Sequence, residues 1–356
     1  MKGTTNQSDV TIGLDLGDRR SQAVVLDAAG DVIEERSIAT IKESFERAFE
    51  EHAGCVLVIE VGTHSPWVSR LFTARGFRVI VANPRQVRLI SESQHKTDHF
   101  DAHMLARLGR ADPKLLSPVQ HRGEEVQKDR ALLRVRDGLV RCRTLLINQV
   151  RGIAKSPGVR IPKCSAKVFP KRARAAITSD LFPGLPALLD TIEQLTVQLD
   201  ELDAQVSQLC GERYPEVAFL QQIGGVGPIT GLSFVLTLED PTRFVDSRTV
   251  GAYLGLCPRQ HSSGDRAPQL GITKAGYVMV RRYLVQAAHY ILGPFGPDCD
   301  LRRYGLRICE RGGKNAKKRA AVAVARKLAV LLHHLWLTGE VYDPLFNTTR
   351  VEHRAA

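Results

Sequence analysis

Val10-Thr11-Ile12-Gly13-Leu14-Asp15-Leu16-Gly17 sets one acid inside an apolar run and brackets it with glycine. Its alternation and β-branched content predict a strand entering a sheet core. A carboxylate on such a strand is expensive to bury unless a cation or hydrogen bonds hold its charge. Asp15 therefore either caps the turn at Asp18-Arg19-Arg20 or is a functional acid at a strand end.

Outward from that strand, residues 21–27 and 31–38 read as two more strands joined at Ala29-Gly30, so the opening is a three-stranded meander. Lys42 to His52 has helical spacing, with Phe45 and Phe49 on one face. Cys55-Val56-Leu57-Val58-Ile59-Glu60-Val61 is an apolar strand with a single acid near its end. A helix over 65–75 stops at Gly76, and residues 77–82 form a fifth strand. A meander followed by β-α-β crossovers is the order of an RNase H-like sheet. In that fold the first and fourth strands are neighbours.

Past the sheet lies Lys96-Thr97-Asp98-His99-Phe100-Asp101-Ala102, helical in propensity with Thr97 as a plausible N-cap. Asp98 and Asp101, three apart, share a helix face. By themselves they could simply serve the helix dipole. With Asp15 and Glu60 they complete a D-E-D-D set. Four converging carboxylates repel unless divalent cations are present. Hard oxygen ligands favour Mg²⁺ or Mn²⁺, and two such ions ~4 Å apart would clamp both oxygens of a phosphodiester exchange.

The chain's 356 residues allow two domains with real cores, and 43% hydrophobic content marks it as globular. A short polar N-terminus without an apolar centre, and no unbroken apolar span, lead us to expect a cytoplasmic protein with no membrane partner. Seven scattered cysteines without a C-x-x-C pair point to reduced thiols. A net charge of +12 suggests a polyanionic partner. Aromatic content of 6% argues against base stacking as the leading contact.

A long helix from Glu124 to about Val150 carries Lys128, Arg130, Arg134, Arg136, Arg141 and Arg143, balanced only by Asp129 and Asp137 within the run. It is either a solvated face or a surface that neutralises nucleic-acid phosphates. After Ser156-Pro157-Gly158 comes a basic linker to Arg174. Leu185, Leu188, Ile192, Leu195, Leu199, Leu202, Val206 and Leu209 then repeat at steps of three and four. That heptad seam predicts a coiled coil, between copies or within the chain, with a folded-back hairpin as the other option. Leu220 to Gly231 looks like a helix-hairpin-helix turn whose Gly225 and Gly227 would let backbone approach a phosphate; a tight structural turn fits as well. Arg259, Lys274, Arg281 and Arg282 add charge around the loop that follows.

Together, Gly13-Leu14-Asp15, Ile59-Glu60, the Lys96–Ala102 element, Gly225-Val226-Gly227-Pro228-Ile229-Thr230, Ala252-Tyr253-Leu254-Gly255-Leu256-Cys257-Pro258-Arg259, Ser263-Gly264 and Thr273-Lys274-Ala275-Gly276 resemble the DEDD transposases of the insertion-sequence-110 family, relatives of the Piv-type DNA invertases. The resemblance runs from about residue 10 to 340. It implies an RNase H-like, RuvC-type α/β domain, a coiled-coil linker and a mainly helical transposase domain. On this chain these map to 9–156, 157–213 and 214–346, with a tail over 347–356. It implies Asp15, Glu60, Asp98 and Asp101 as ligands to Mg²⁺ or Mn²⁺ and Ser263 as nucleophile, with Ser262 adjacent. It also implies donor and target DNA, a structured bridge RNA that selects them by base pairing, and a homo-oligomer, dimer or tetramer. The Leu16-Gly17-Asp18-Arg19-Arg20 stretch departs from many members, and the basic linker matches no family motif.

An actin-like ATPase also opens on a Gly-Leu-Asp-Leu-Gly loop, but its second, D-x-G-G-G phosphate loop is missing here. A metal-dependent Holliday-junction-type nuclease explains the acids and leaves the second domain idle. A purely architectural DNA-binding protein explains the charge and leaves the acids idle.

Overall fold

The computed structural model describes residues 10–83, 98–177, 182–260 and 270–347. They fall into two compact units that divide between Gly123 and Glu124.

The first unit is built on a five-stranded mixed sheet with strand order β3-β2-β1-β4-β5. Its strands are β1 (Thr11–Asp15), β2 (Arg20–Leu26), β3 (Val32–Ala39), β4 (Val56–Glu60) and β5 (Arg78–Ala82). β1 pairs antiparallel with β2 and parallel with β4, so the expected first-and-fourth neighbourhood is present. Strand alternation gives the sheet two working faces. On one, Ile12, Leu14, Leu57 and Ile59 pack with Phe45, Phe49, Val68 and Phe72 from α1 (Lys42–Ala48), α2 (Ser65–Thr73) and the short turn between α1 and β4. On the other, Val58 packs with Leu105 and Leu108 of α3 (Asp98–Ala111). This mixed sheet between helices is compatible with an RNase H-like domain.

The second unit is helical. α4 (Glu124–Lys155) and α6 (Leu185–Arg213) pair along their length. Arg136 binds Asp203 and Arg143 donates to Thr196, while Asp129 near the start of α4 meets Arg213 at the end of α6. Contacts that descend one helix while ascending the other define an antiparallel pair. Of the expected seam, Leu185, Ile192, Leu199 and Val206 are buried, whereas Leu188, Leu195, Leu202 and Leu209 are half-buried and Leu189 and Thr196 are buried instead. The apolar stripe of α6 thus packs on α4 of its own chain, in a register shifted from strict heptads. The basic stretch after α4 is more than a connection: Ile161, Phe169 and Ala173 join Val150, Ala154, Leu185 and Ile192 in a separate small core, with α5 (Phe169–Ala176) as its cap.

The remaining helices are α7 (Glu216–Leu220), α8 (Pro228–Leu238), α9 (Ser247–Tyr253), α10 (Val278–Leu292), α11 (Asp300–Glu310) and α12 (Ala316–Thr338). α8 and α12 supply the centre of this core, including Phe234, Leu236, Val324, Leu328 and Leu332. Among the described residues α12 alone is long and apolar enough to cross a membrane, and half of that apolar window is buried inside the unit.

Candidate functional site

Topology sets Asp15 beside Glu60 and turns the start of α3 toward them. The register Leu14 opposite Ile59 carries forward to Asp15 beside Glu60, at the C-terminal ends of adjacent parallel strands. Since Ile12, Leu14, Leu57 and Ile59 face α1 and α2, alternation turns Asp15 and Glu60 to the α3 face. There α3 lies almost on the backbone of β1: a Cβ at Gly13 would stand 2.1 Å from the Ala102 carbonyl oxygen. Only glycine permits that approach, so Gly13 sets how close the α3 acids lie to the sheet.

The direction of α3 follows from Arg110 near its end, which donates to the Ala28 carbonyl at 2.9 Å, beyond β2 and beside the start of β1. The other end, with Asp98 and Asp101, therefore points toward the strand end that carries Asp15. Asp101 is only 7% exposed on the stripe it shares with Ala102 and Leu105, while Asp98 is exposed one turn earlier. Among the described residues no three histidine, cysteine or acidic side chains already close into a metal site. The donor set is nonetheless all-oxygen and partly buried at one sheet end, which suits Mg²⁺ or Mn²⁺ rather than a softer metal.

Two loops rim this end. The β1–β2 loop is anchored by Thr40, whose hydroxyl donates to the Gly17 carbonyl at 2.9 Å and meets the buried Ser21 hydroxyl at 2.8 Å. The β4–α2 loop is anchored by Ser65, whose hydroxyl accepts from Gly62 N–H and donates to the Gly62 carbonyl, each at 2.9 Å. Sequence reasoning passed over both anchors; small hydroxyl residues flanking predicted strand ends are the signal that could have found them.

In the second unit, two of the sequence motifs interlock. Lys274 N–H donates to the Gly255 carbonyl at 3.1 Å, Thr273 N–H to Cys257 at 2.9 Å and Arg259 N–H to Gly271 at 3.0 Å. These bonds hold residues 255–259 against residues 271–274. Gly255 and Gly276 are left-handed (φ +69° and +66°), and a Cβ on either would stand within 2.3 Å of main-chain atoms across the contact. Buried Arg281 donates to the carbonyls of Leu254 and Ala275 at 3.0 and 2.6 Å, tying the junction to α10. Ser263, with Ser262, lies outside the described residues, as do Lys96 and Thr97.

The other cationic candidates divide. Arg136 and Arg143 are taken up between α4 and α6, and Arg282 pairs with buried Asp137. Asp129 and Asp137, the two buried acids of α4, are thus its anchors. Asp129 accepts from the Tyr214 hydroxyl at 2.6 Å, and burial together with that bond pushes the Tyr214 phenol well above its ordinary range. Arg134, Arg141, Arg259 and Lys274 are exposed. Gly225 is left-handed, and a Cβ there would meet the Tyr290 ring at 2.8 Å, so its turn packs on α10; at Gly227 the corresponding space is open.

Comparison with known proteins gives two matches along the chain. The profile of the DEDD transposase domain of the IS110 family matches residues 12–156, and that of the IS116/IS110/IS902 transposase family matches residues 217–298. The transposase for insertion sequence element IS1111A of Coxiella burnetii is 30% identical over 349 residues, 96% of this chain and 93% of that protein. The chain belongs to the IS110 family of transposases. The transposase for IS1328 of Yersinia enterocolitica is 30% identical over 66% of this chain and 70% of its own. The pilin gene-inverting protein of Moraxella bovis is 25% identical over 81% of each. In this transposase the first profile covers the sheet, α3 and α4, and the second starts at α7 and runs into the segment before α11.

Proposed function

We propose that this transposase cleaves and rejoins DNA through Asp15, Glu60, Asp98 and Asp101, which hold Mg²⁺ or Mn²⁺, and through Ser263 as nucleophile. The observation that carries it is the strand-end pairing of Asp15 with Glu60 beneath the first turns of α3. Bound divalent ions would supply charge neutralisation on the phosphodiester and activation of a hydroxyl. The Ser263 hydroxyl loses its proton to solvent as its oxygen attacks phosphorus, a serine–phosphate ester forms, and the bond to the sugar oxygen breaks, that oxygen leaving as a hydroxyl with a proton from solvent. The ester retains the energy of the broken bond for rejoining. A serine hydroxyl needs such activation at neutral pH.

Donor and target DNA are chosen by a structured guide RNA, the bridge RNA, and the backbones of these nucleic acids contact exposed Arg134, Arg141, Arg259 and Lys274. Copies of the chain associate as a dimer or tetramer. The seam of α6 is used within the chain, so that association draws on another surface.

Ser263→Ala tests the chemistry. It should bind DNA normally yet give neither cleavage nor a protease-sensitive DNA adduct. An adduct from Ser263→Ala but not from Ser262→Ala would assign the nucleophile to the neighbour. Cleavage by both variants would make water the nucleophile and the protein a metal-dependent nuclease of the Holliday-junction type. Sequencing RNA that co-purifies with the protein tests the guide.

A further inference from the structure

His64 stands on the loop that leaves Glu60, at the sheet end that carries the acids. Trp67 Nε1–H donates to His64 Nδ1 at 3.1 Å. An indole nitrogen can only donate, so Nδ1 accepts and the neutral ring carries its proton on Nε2. The Trp67 ring lies edge-on to the imidazole and packs against Phe45 in the core, so this orientation is rooted in the fold.

That single bond excludes two familiar roles. A neutral imidazole that ligates a metal through Nε2 must carry its proton on Nδ1, where it would oppose the Trp67 N–H. An imidazolium acting as general acid has the same conflict. A fixed, neutral N–H donor at Nε2 is what remains.

Its present partner is a weak one. Nε2 lies 3.4 Å from Asp18 Oδ1, longer than a good N–H···O bond, and the Asp18 side chain is 95% exposed. Asp18 is three residues past Asp15 and His64 four past Glu60, and the loops carrying both are held by Thr40 and Ser65. The Nε2–H therefore sits between the two chains that leave the acidic strand ends. A phosphate arriving there would repel the Asp18 carboxylate and accept the hydrogen bond in its place.

We infer that His64 donates its Nε2–H to a non-bridging oxygen of the DNA phosphate being cleaved, a role that rests on the carboxylate centre proposed above. A neutral donor aimed at charge that grows in the transition state contributes to rate more than to affinity. The full-length protein with its co-purified RNA, a DNA substrate and Mg²⁺ provides the test under single-turnover conditions. His64→Ala should slow cleavage by about 10²-fold with little change in DNA affinity. His64→Gln, which keeps an N–H at similar reach, should recover most of that loss. Trp67→Phe, which keeps the packing but frees the ring, should fall between them. If Asp15→Ala is inactive while His64→Ala cleaves at the wild-type rate, the inference fails and the carboxylate centre stands. If Asp15→Ala also cleaves normally, both fail. Equal loss in the Ala and Gln variants with a lowered Tm, or loss of co-purified RNA instead of cleavage rate, would likewise overturn the donor role.

Discussion

The acidic strand ends of the first unit and the glycine-built junction of the second are constructed in opposite ways. In the first, the backbone is ordinary sheet and the distinctive feature is its side chains: Asp15 and Glu60 terminate paired strands, and glycine intervenes where α3 lies on β1. In the second, the backbone itself is the device. Gly255 and Gly276 interlock in left-handed conformations, main-chain bonds join residues 255–259 to residues 271–274, and Arg281 is consumed by two carbonyls. The contrast separates two kinds of constraint. Side chains placed at strand ends depend on sheet register, whereas a junction built from backbone depends on glycine at each left-handed position.

The largest effect should come from the acidic edge. Asp15→Ala or Glu60→Ala is expected to reduce DNA cleavage by at least roughly 10³-fold while leaving Tm within a few degrees of wild type. Full cleavage in EDTA would sink the metal-binding half of the comparison.

Glycine substitutions should reverse that pattern. Gly276→Ala meets the Tyr253 carbonyl at 2.2 Å in a left-handed backbone, so overpacking and strain should together cost about 2–4 kcal/mol in urea unfolding. Gly13→Ala has the collision without the left-handed penalty and should cost about 1–3 kcal/mol. A Gly276→Ala protein of unchanged stability would show that the junction is looser than its bonds indicate.

Arg281→Met should be milder again. It leaves the Leu254 and Ala275 carbonyls without these donors, a loss of about 1–3 kcal/mol, and should lower cleavage while nucleic-acid binding persists. Binding lost in parallel with cleavage would return Arg281 to the nucleic-acid surface. The smallest effect is expected from Arg134→Gln with Arg141→Gln. Each phosphate contact removed should flatten the log–log salt dependence by roughly 0.7–0.9, with Tm unchanged. An unaltered slope would make that face of α4 merely solvated.

What the sequence by itself determined was the local pattern: strand order in the sheet, the long helices, and acids placed where apolar runs end. Those features follow from periodicity and from the cost of burying a charge, and both are written in consecutive residues. The heptads of α6 were equally legible as a pattern, but not their partner, because an apolar seam fits another copy or its own chain. Tertiary structure decided for α4, through Arg136 on Asp203 and Arg143 on Thr196. It also sorted the cations: Arg281 and Arg134 look alike in sequence, and only packing makes one a buried clasp and leaves the other exposed. Ser263 carried no signal of its own, since a Ser-Gly pair reads as a turn, and it was reached only by family resemblance. The direction of the His64 proton likewise depended on a donor three residues away whose ring must be fixed by the core before it can choose a tautomer. Such choices rest on contacts between distant segments or on side-chain orientation, and residue type and spacing do not encode them.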